Sequence, residues 1–276
     1  MAMISIENLF FSYPDGTQVL NGVNLSIEKG DSVAIIGRNG SGKTTLVKHL
    51  NGLLQPTKGK VSINGVTTEG KEPAELSRTI GLVFQNPDDQ IFSTKVYNEV
   101  AFGPRNLGLS ASEVDLRVNN ALEVTNLGKY RDVHPYDLTI TERKLLCLAT
   151  ILAMDPQVLV LDEPTTAQDQ VGVIRLGEVI HKILQTGKTV ITITHDMEFV
   201  AEFFNRSIVM RLGEIILDGT TEDVYTQVDL LRSTYVKPPS MAILGQEIGA
   251  PRSAITVHSM MDWIIQQTKL TDGIER

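Results

Sequence analysis

The chain holds 276 residues, 42% of them hydrophobic, with a formal net charge of −8 at pH 7. This length suits one large α/β domain with a smaller appendage, and the acidic balance counts against general binding to nucleic acid or anionic lipid, which needs a basic face. A single cysteine, Cys147, excludes an intrachain disulfide and points to a reducing compartment.

Residues 3–26 carry short apolar segments (Ile4, Ile6, Leu9, Phe10, then Val19, Leu20, Val23, Leu25) around the turn Tyr13-Pro14-Asp15-Gly16, which predicts antiparallel strands. No basic, apolar and cleavable leader pattern is found there, so no secretory signal is expected. Val33 to Ile36 reads as a buried parallel strand, followed by a helix from Thr44 to Leu50 that stops at Gly52. A turn around Pro56 to Gly59 leads to an edge-like strand, Lys60 to Asn64, and Ile80 to Gln85 reads as another buried strand. From about residue 96 to 154 the pattern is helical, a predicted insertion between core strands, with the capping box Ser110-Ala111-Ser112-Glu113 opening an amphipathic segment. The apolar stretch Leu145 to Leu161 takes Cys147 as core packing, and Asp155-Pro156-Gln157 splits it below the roughly 20 residues that cross a bilayer.

Val158 to Leu161 and Thr189 to Ile193 read as buried parallel strands joined by a helix from about Gly172 to Leu184, and Ser207 to Met210 with Glu214 to Leu217 as a closing hairpin turning at Leu212-Gly213. The core pattern ends near residue 228. Residues 228–276 are expected to form a small C-terminal appendage, in which Met260 to Ile265, with Trp263, is either satellite core or, as favoured, an oligomer contact, and residues 271–276 fray.

The run Gly37-Arg38-Asn39-Gly40-Ser41-Gly42-Lys43-Thr44 has the spacing of a phosphate-binding loop and sits between a strand and a helix. Its glycines let backbone N–H groups curl around a β-phosphate, Lys43 neutralises charge, the Thr44 hydroxyl is placed for Mg²⁺, and the helix aims its N-terminus at the anion, with Thr45 completing the nucleotide contacts. Asp162 and Glu163 close the Val158 strand, so both carboxylates emerge at the strand's carboxyl end, where ligands of open α/β sheets sit. Asp162 is placed to hold Mg²⁺ through water, and Glu163 to orient or deprotonate the attacking water. His195 follows the Thr189 strand and Gln85 the Ile80 strand, which brings an imidazole to the γ-phosphate and an amide to Mg²⁺ or the water.

The order of these motifs over residues 3 to about 225 resembles the ATPase subunit of ATP-binding cassette (ABC) transporters. The resemblance implies an α/β P-loop NTPase core with a parallel sheet, an N-terminal antiparallel β-subdomain and a helical insertion, the ATPase domain spanning residues 1–227. It implies ATP and Mg as cofactors, with Tyr13 stacking on adenine, Gln85 as Q-loop, Asp162 and Glu163 as Walker B pair, Asp169 as D-loop and His195 as switch histidine. A narrower similarity rests on Gln85-Asn86-Pro87-Asp88-Asp89-Gln90-Ile91-Phe92, Val100-Ala101-Phe102-Gly103-Pro104 and Lys237-Pro238-Pro239, which look like the ATPase of an energy-coupling factor (ECF) importer of vitamins or cobalt and nickel. That similarity implies a second ABC ATPase subunit, a transmembrane coupling protein, a substrate-binding membrane subunit, and a peripheral place at the cytoplasmic face of the membrane. Asp88, Asp89 and Glu99 are candidates to meet basic residues of the coupling protein.

The family's signature, Leu-Ser-Gly-Gly-Gln, presents a hydroxyl and backbone N–H groups to the partner's γ-phosphate. Here it reads Leu138-Thr139-Ile140-Thr141-Glu142. Ile140 and Thr141 replace glycines expected to allow close approach and unusual dihedrals, and Glu142 adds negative charge. Gln168 stands in the D-loop where an apolar residue is usual. These departures favour a heterodimer over a homodimer, with a low-turnover regulatory subunit as an alternative, and the Arg143-Lys144 that follow resemble the family's usual basic pair, which leaves a tolerated subgroup variant as another. A soluble cassette acting on DNA or ribosomes is disfavoured by the acidic charge and the absence of a second cassette and of long heptads.

Overall fold

The central strands are buried on both faces, and the alternation of side chains between those faces sets the layers of the molecule. In the computed structural model, which describes residues 2–272, β1 (Ile4–Ser12) and β2 (Gln18–Ile27) pair antiparallel, as their apolar pattern predicts. The buried β3 (Ser32–Ile36) runs into α1 (Lys43–Leu50), which begins one residue before the predicted start. β4 (Lys58–Ile63) pairs with β1 and with the two-residue β5 (Val66–Thr67), giving a sheet of order β2-β1-β4-β5. The strand expected at an edge is therefore interior, because β5 is too short to carry a periodic signal.

The short α2 (Pro73–Leu76) leads to β6 (Ile80–Val83), which ends two residues before its predicted limit and leaves Phe84 and Gln85 exposed. The helical insertion comprises α3 (Val96–Asn106), α4 (Ala111–Val124) and α5 (Ile140–Met154), and the Ser110–Glu113 capping box forms in both directions. After it come β7 (Val158–Asp162), α6 (Gln170–Gln185), β8 (Thr189–Ile193), α7 (Met197–Phe203) and the hairpin β9 (Arg206–Arg211) with β10 (Glu214–Thr220). The second sheet has the order β10-β9-β3-β8-β7-β6, in which all neighbours are parallel except β10 and β9.

Val33, Ile35, Val160, Ile191 and Ile193 face α1 and the antiparallel sheet, while Ala34, Ile36, Leu159, Leu161 and Val190 face the helices of the insertion and α6. Both faces are apolar, so the strands read as continuous hydrophobic runs and their register is fixed from both sides. Four helices follow: α8 (Thr221–Tyr225), α9 (Val228–Ser233), α10 (Ser240–Ile248) and α11 (Val257–Asp272). Tyr225, Leu231, Val236, Ala242 and Ile255 join the same apolar layer as the helical insertion. Trp263 is half-buried. Residues 273–276 of the tail expected to fray lie outside the described residues.

Candidate functional site

Parallel pairing puts the carboxyl ends of β3, β6, β7 and β8 on one sheet edge, and each is followed by residues with chemistry. After β3, the loop residues Gly37, Gly40 and Gly42 have φ of 154°, 81° and 103°. A Cβ on Gly37 would lie 2.3 Å from the Met210 carbonyl oxygen, and one on Gly42 would lie 2.9 Å from Leu20 Cδ2, so glycine is required by conformation and by space. The closing hairpin walls this loop. Gly213 N–H donates to Ser41 O (3.0 Å), while Asn21 donates from its backbone to Gly213 O (3.0 Å) and from its side chain to Leu212 O (2.7 Å).

Lys43 is buried, and its Nζ donates to Gly37 O (2.8 Å) and Arg38 O (3.1 Å). Burial lowers its pKa, and the carboxylates Glu163 and Asp162 pull it back up. Gly42 is the N-cap of α1 and supplies no side-chain acceptor to the first turn, and the buried Ser41 Oγ has no protein partner. The loop and helix end thus present donors suited to a phosphate chain. Arg38, Asn39 and Gly40 are exposed, and Thr45 is buried against Tyr13, whose hydroxyl lies 3.3 Å from Thr45 Oγ1.

At the end of β7, the Thr44 side chain lies close enough to the Asp162 carboxylate to favour its charged form. Burial and neighbouring Glu163 raise the Asp162 pKa, while Lys43, Lys48 and Thr44 oppose the rise. A carboxylate and a hydroxyl side by side form an all-oxygen donor set that fits a hard divalent cation. Glu163, next in the chain, is a non-glycine residue at φ 47° whose N–H donates to Ile193 O (2.8 Å). Its side chain is mostly buried, and Oε2 lies 2.8 Å from Nδ1 of the exposed His195, an ion-pair distance without hydrogen-bond alignment. Lys43, Thr44, Asp162, Glu163 and His195 therefore meet. Gln85 sits exposed on the loop beyond β6, on the same edge as Asp162.

Leu138 is buried, and Thr139 caps α5 in a complete capping box. Thr139 N–H and its hydroxyl both donate to Glu142 Oε2 (2.9 Å each), and Glu142 N–H donates back to Thr139 Oγ1 (3.3 Å). Two features of this helix start bear on the altered signature. Ile140 and Thr141 occupy no positive-φ conformation, because the capping box sets ordinary helix-start dihedrals. The Glu142 charge is folded back onto the cap: burial raises its pKa, but hydrogen bonds from Tyr130 and Thr139 with the charge of Lys129 leave it lowered. In the D-loop, Asp169 caps α6 by accepting from Gly172 N–H (2.7 Å), and a Cβ on Gly172 would meet both Gln168 Oε1 and Thr141 Oγ1.

Three residues make contacts that the sequence reading did not assign. Gln90 accepts from Phe84 N–H (3.2 Å) and donates to Cys147 O and Thr150 Oγ1 (3.0 Å each), fastening the Gln85 loop to α5. Tyr235 lies under the Arg38 guanidinium, 4.8 Å from ring centroid to Cζ, in a cavity of about 700 Å³ shared by the phosphate loop, His195, Arg211 and Lys237. Lys144, a buried charge inside an apolar helix, was visible as an anomaly in Leu145 to Met154's own helix but carried no assigned role. A correction concerns Glu99, which is buried and accepts from Phe92 N–H (3.1 Å) and Ser93 N–H (2.6 Å), so its carboxylate is engaged within the loop and is not an exposed acid. Asp89 is exposed, and Asp88 is exposed while pairing with Arg143 (2.8 Å).

A family model described as ABC transporter matches residues 20–166. The chain belongs to the ABC transporter family. This ABC ATPase is 42% identical over 246 residues to the energy-coupling factor transporter ATP-binding protein EcfA of Methanocaldococcus jannaschii, covering 88% of each chain. It is 46% identical over 241 residues to a putative ABC transporter ATP-binding protein of Pyrococcus abyssi, covering 87% of this chain and 92% of that one. In structure it is similar to CbiO1 of Clostridium perfringens, described as part of the ABC transporter complex cbiONQ (TM-score 0.78, 34% identity, 89% of this chain and 99% of that chain). A dimeric ATP-binding cassette in a post-hydrolysis state with ADP and Pi is also similar (TM-score 0.71, 28% identity, 79% of this chain and 99% of that chain). The α/β P-loop fold and the resemblance to ECF ATPases expected from the motifs hold. Among the described residues of the ABC ATPase, no helix is long and apolar enough to cross a membrane.

Proposed function

We propose that the chain is the ATP-hydrolysing subunit of an ECF-type importer, binding MgATP and driving a membrane coupling protein through closure of an ATPase dimer. The observation that carries this reading is the meeting of Lys43, Thr44, Asp162, Glu163 and His195 at one sheet edge. The loop from Gly37 to Thr45 cradles the phosphates, and Tyr13 supports adenine. Thr44, Gln85 and, through water, Asp162 hold Mg²⁺. When bound, that ion supplies charge neutralisation on the β- and γ-phosphates. Glu163 orients the attacking water and accepts its proton, and His195 beside it holds the γ-phosphate in line.

A second ATPase subunit closes the site. The Thr139 hydroxyl and the Glu142 carboxylate are engaged with each other, so α5 offers the opposite site little, which favours a heterodimer whose partner carries an intact signature. The same observation keeps a low-turnover regulatory role as the second reading. For the coupling protein, the fitting surface is the apolar groove of about 300 Å³ between Phe84, Phe92, Phe102, Ile151 and Met154, with Asp88 and Asp89 nearby to meet basic side chains. On this reading the chain works with a substrate-binding membrane subunit at the cytoplasmic face of the membrane. Residues 1–227 act as the ATPase domain, and residues 228–276, exposing Met261, Ile264 and Ile265, form an appendage suited to dimer contact.

The test is Glu163→Gln, expected to bind ATP while hydrolysing it at least about 100-fold more slowly. Hydrolysis at the unaltered rate removes the assigned role of Glu163. The proteins that co-purify from solubilised membranes decide the partners: a membrane protein and a second ATPase support the transporter reading, and nucleic acid or ribosomes overturn it.

A further inference from the structure

The turn that carries Glu163 is conformationally demanding: Glu163 (φ 47°) and Ala167 (φ 59°) both adopt left-handed backbone without being glycine. Such a turn persists when its surroundings hold it, and here the holding group comes from another element. Lys144 lies on the buried side of α5, and its Nζ donates to Thr166 O (2.6 Å), Pro164 O (3.1 Å) and Glu163 O (3.4 Å). An ammonium has three donors and no acceptor, and each donor finds one carbonyl of the same turn. The charge strengthens all three bonds, and no shorter or neutral side chain could supply them together. One helical turn earlier on α5, Thr141 Oγ1 packs with Gln168 Oε1 and Asp169 Oδ1 around Gly172. The first turns of α5 are therefore bonded to the segment from Glu163 to Thr166 through Lys144, while Thr141 lies beside Gly172 with Gln168 and Asp169.

We propose that Lys144 is a positioning residue for hydrolysis, fixing the backbone of Glu163 and linking it to the helix whose N-terminus faces the other subunit's nucleotide. This rests on the reading of Glu163 as the water-orienting carboxylate.

The experiment compares wild type, Lys144→Met, Lys144→Gln and Glu163→Gln in the full chain, with its ATPase partner where turnover needs one. Affinity for a fluorescent trinitrophenyl-ATP, KM, kcat and Tm are measured for each. Lys144→Met is expected to lower kcat by on the order of 10- to 100-fold through misplacement of Glu163, with KM and nucleotide affinity held within about twofold. Lys144→Gln, which keeps one donating amide group, is expected to recover part of the loss. Wild-type kcat in Lys144→Met beside an inactive Glu163→Gln overturns the proposal and leaves the Glu163 assignment standing. Loss of kcat and affinity together, in step with Tm, also overturns it by showing support of the fold alone. Wild-type hydrolysis by Glu163→Gln overturns the assignment and the proposal with it. Should Lys144→Met not fold, Lys144→Gln decides: reduced kcat at unchanged affinity supports the proposal, and wild-type kcat ends it.

Discussion

Two helix starts in this molecule carry family motifs, and they are built in opposite ways. At α1, Gly42 caps without a side chain, the preceding glycines hold positive φ, and donors are left for a ligand. At α5, Thr139 and Glu142 satisfy each other, and the residues between them sit in ordinary helical geometry. A helix N-terminus attracts phosphate in either case through its dipole, but only unclaimed N–H groups can bind it. The glycines of a phosphate motif are therefore a record of donors left open, and at α5 the Thr139 and Glu142 N–H groups are instead claimed by the helix's own side chains.

The comparison breaks most readily at α1. Lys43→Ala is expected to abolish nucleotide binding, read by loss of trinitrophenyl-ATP fluorescence, since no other buried cation stands beside Gly37 and Arg38 among the described residues. At α5 the mildest reversal is the triple change Ile140→Gly, Thr141→Gly, Glu142→Gln. It is expected to raise the ATPase rate of the isolated chain several-fold, on the order of tenfold if donors at this end limit turnover; fast turnover by the unaltered isolated chain would end the asymmetry argument. Thr139→Ala should destabilise the protein by about 1 kcal/mol through loss of the N-cap, visible as a lowered Tm.

The smallest effect is in pH. The Glu142 carboxyl is lowered below its ordinary value of 4.5, so the unfolded chain takes up its proton first as pH falls. Its contribution is full above that value and lost as pH drops through the folded one. The stability difference between wild type and Glu142→Gln, followed by their Tm values, should shrink accordingly, by a few tenths of a kcal/mol for a group that solvent still reaches.

Much of the fold could be read from the residues because the parallel strands are apolar on both faces and their ends carry distinctive chemistry. Val33 to Ile36, Val158 to Leu161 and Thr189 to Ile193 lie within strands, and the polar residues after them share an edge by parallel pairing alone. Pairing order was less legible: β5 has two residues, so nothing announced that β4 would be covered. At the site, side-chain direction was the missing information. Glu99 has the look of a surface acid in sequence, yet it turns inward to two loop N–H groups. The Thr139-x-x-Glu142 pattern had the same form as Ser110-x-x-Glu113, and the family likeness drew attention to its lost glycines instead of its cap. Tyr235 had no signal at all, since its place under Arg38 depends on how the last helices fold back.

The hairpin that walls the phosphate loop bears on how the protein is made. Gly37 is shaped against the Met210 carbonyl, and Ser41 O is capped by Gly213, so residues near the N-terminus acquire their working conformation from residues near the other end. On the ribosome, the antiparallel sheet and α1 emerge long before β9 and β10. A nascent chain stalled ahead of that hairpin is expected not to retain ATP, which makes nucleotide capture a late event in synthesis and a marker that the cassette is finished.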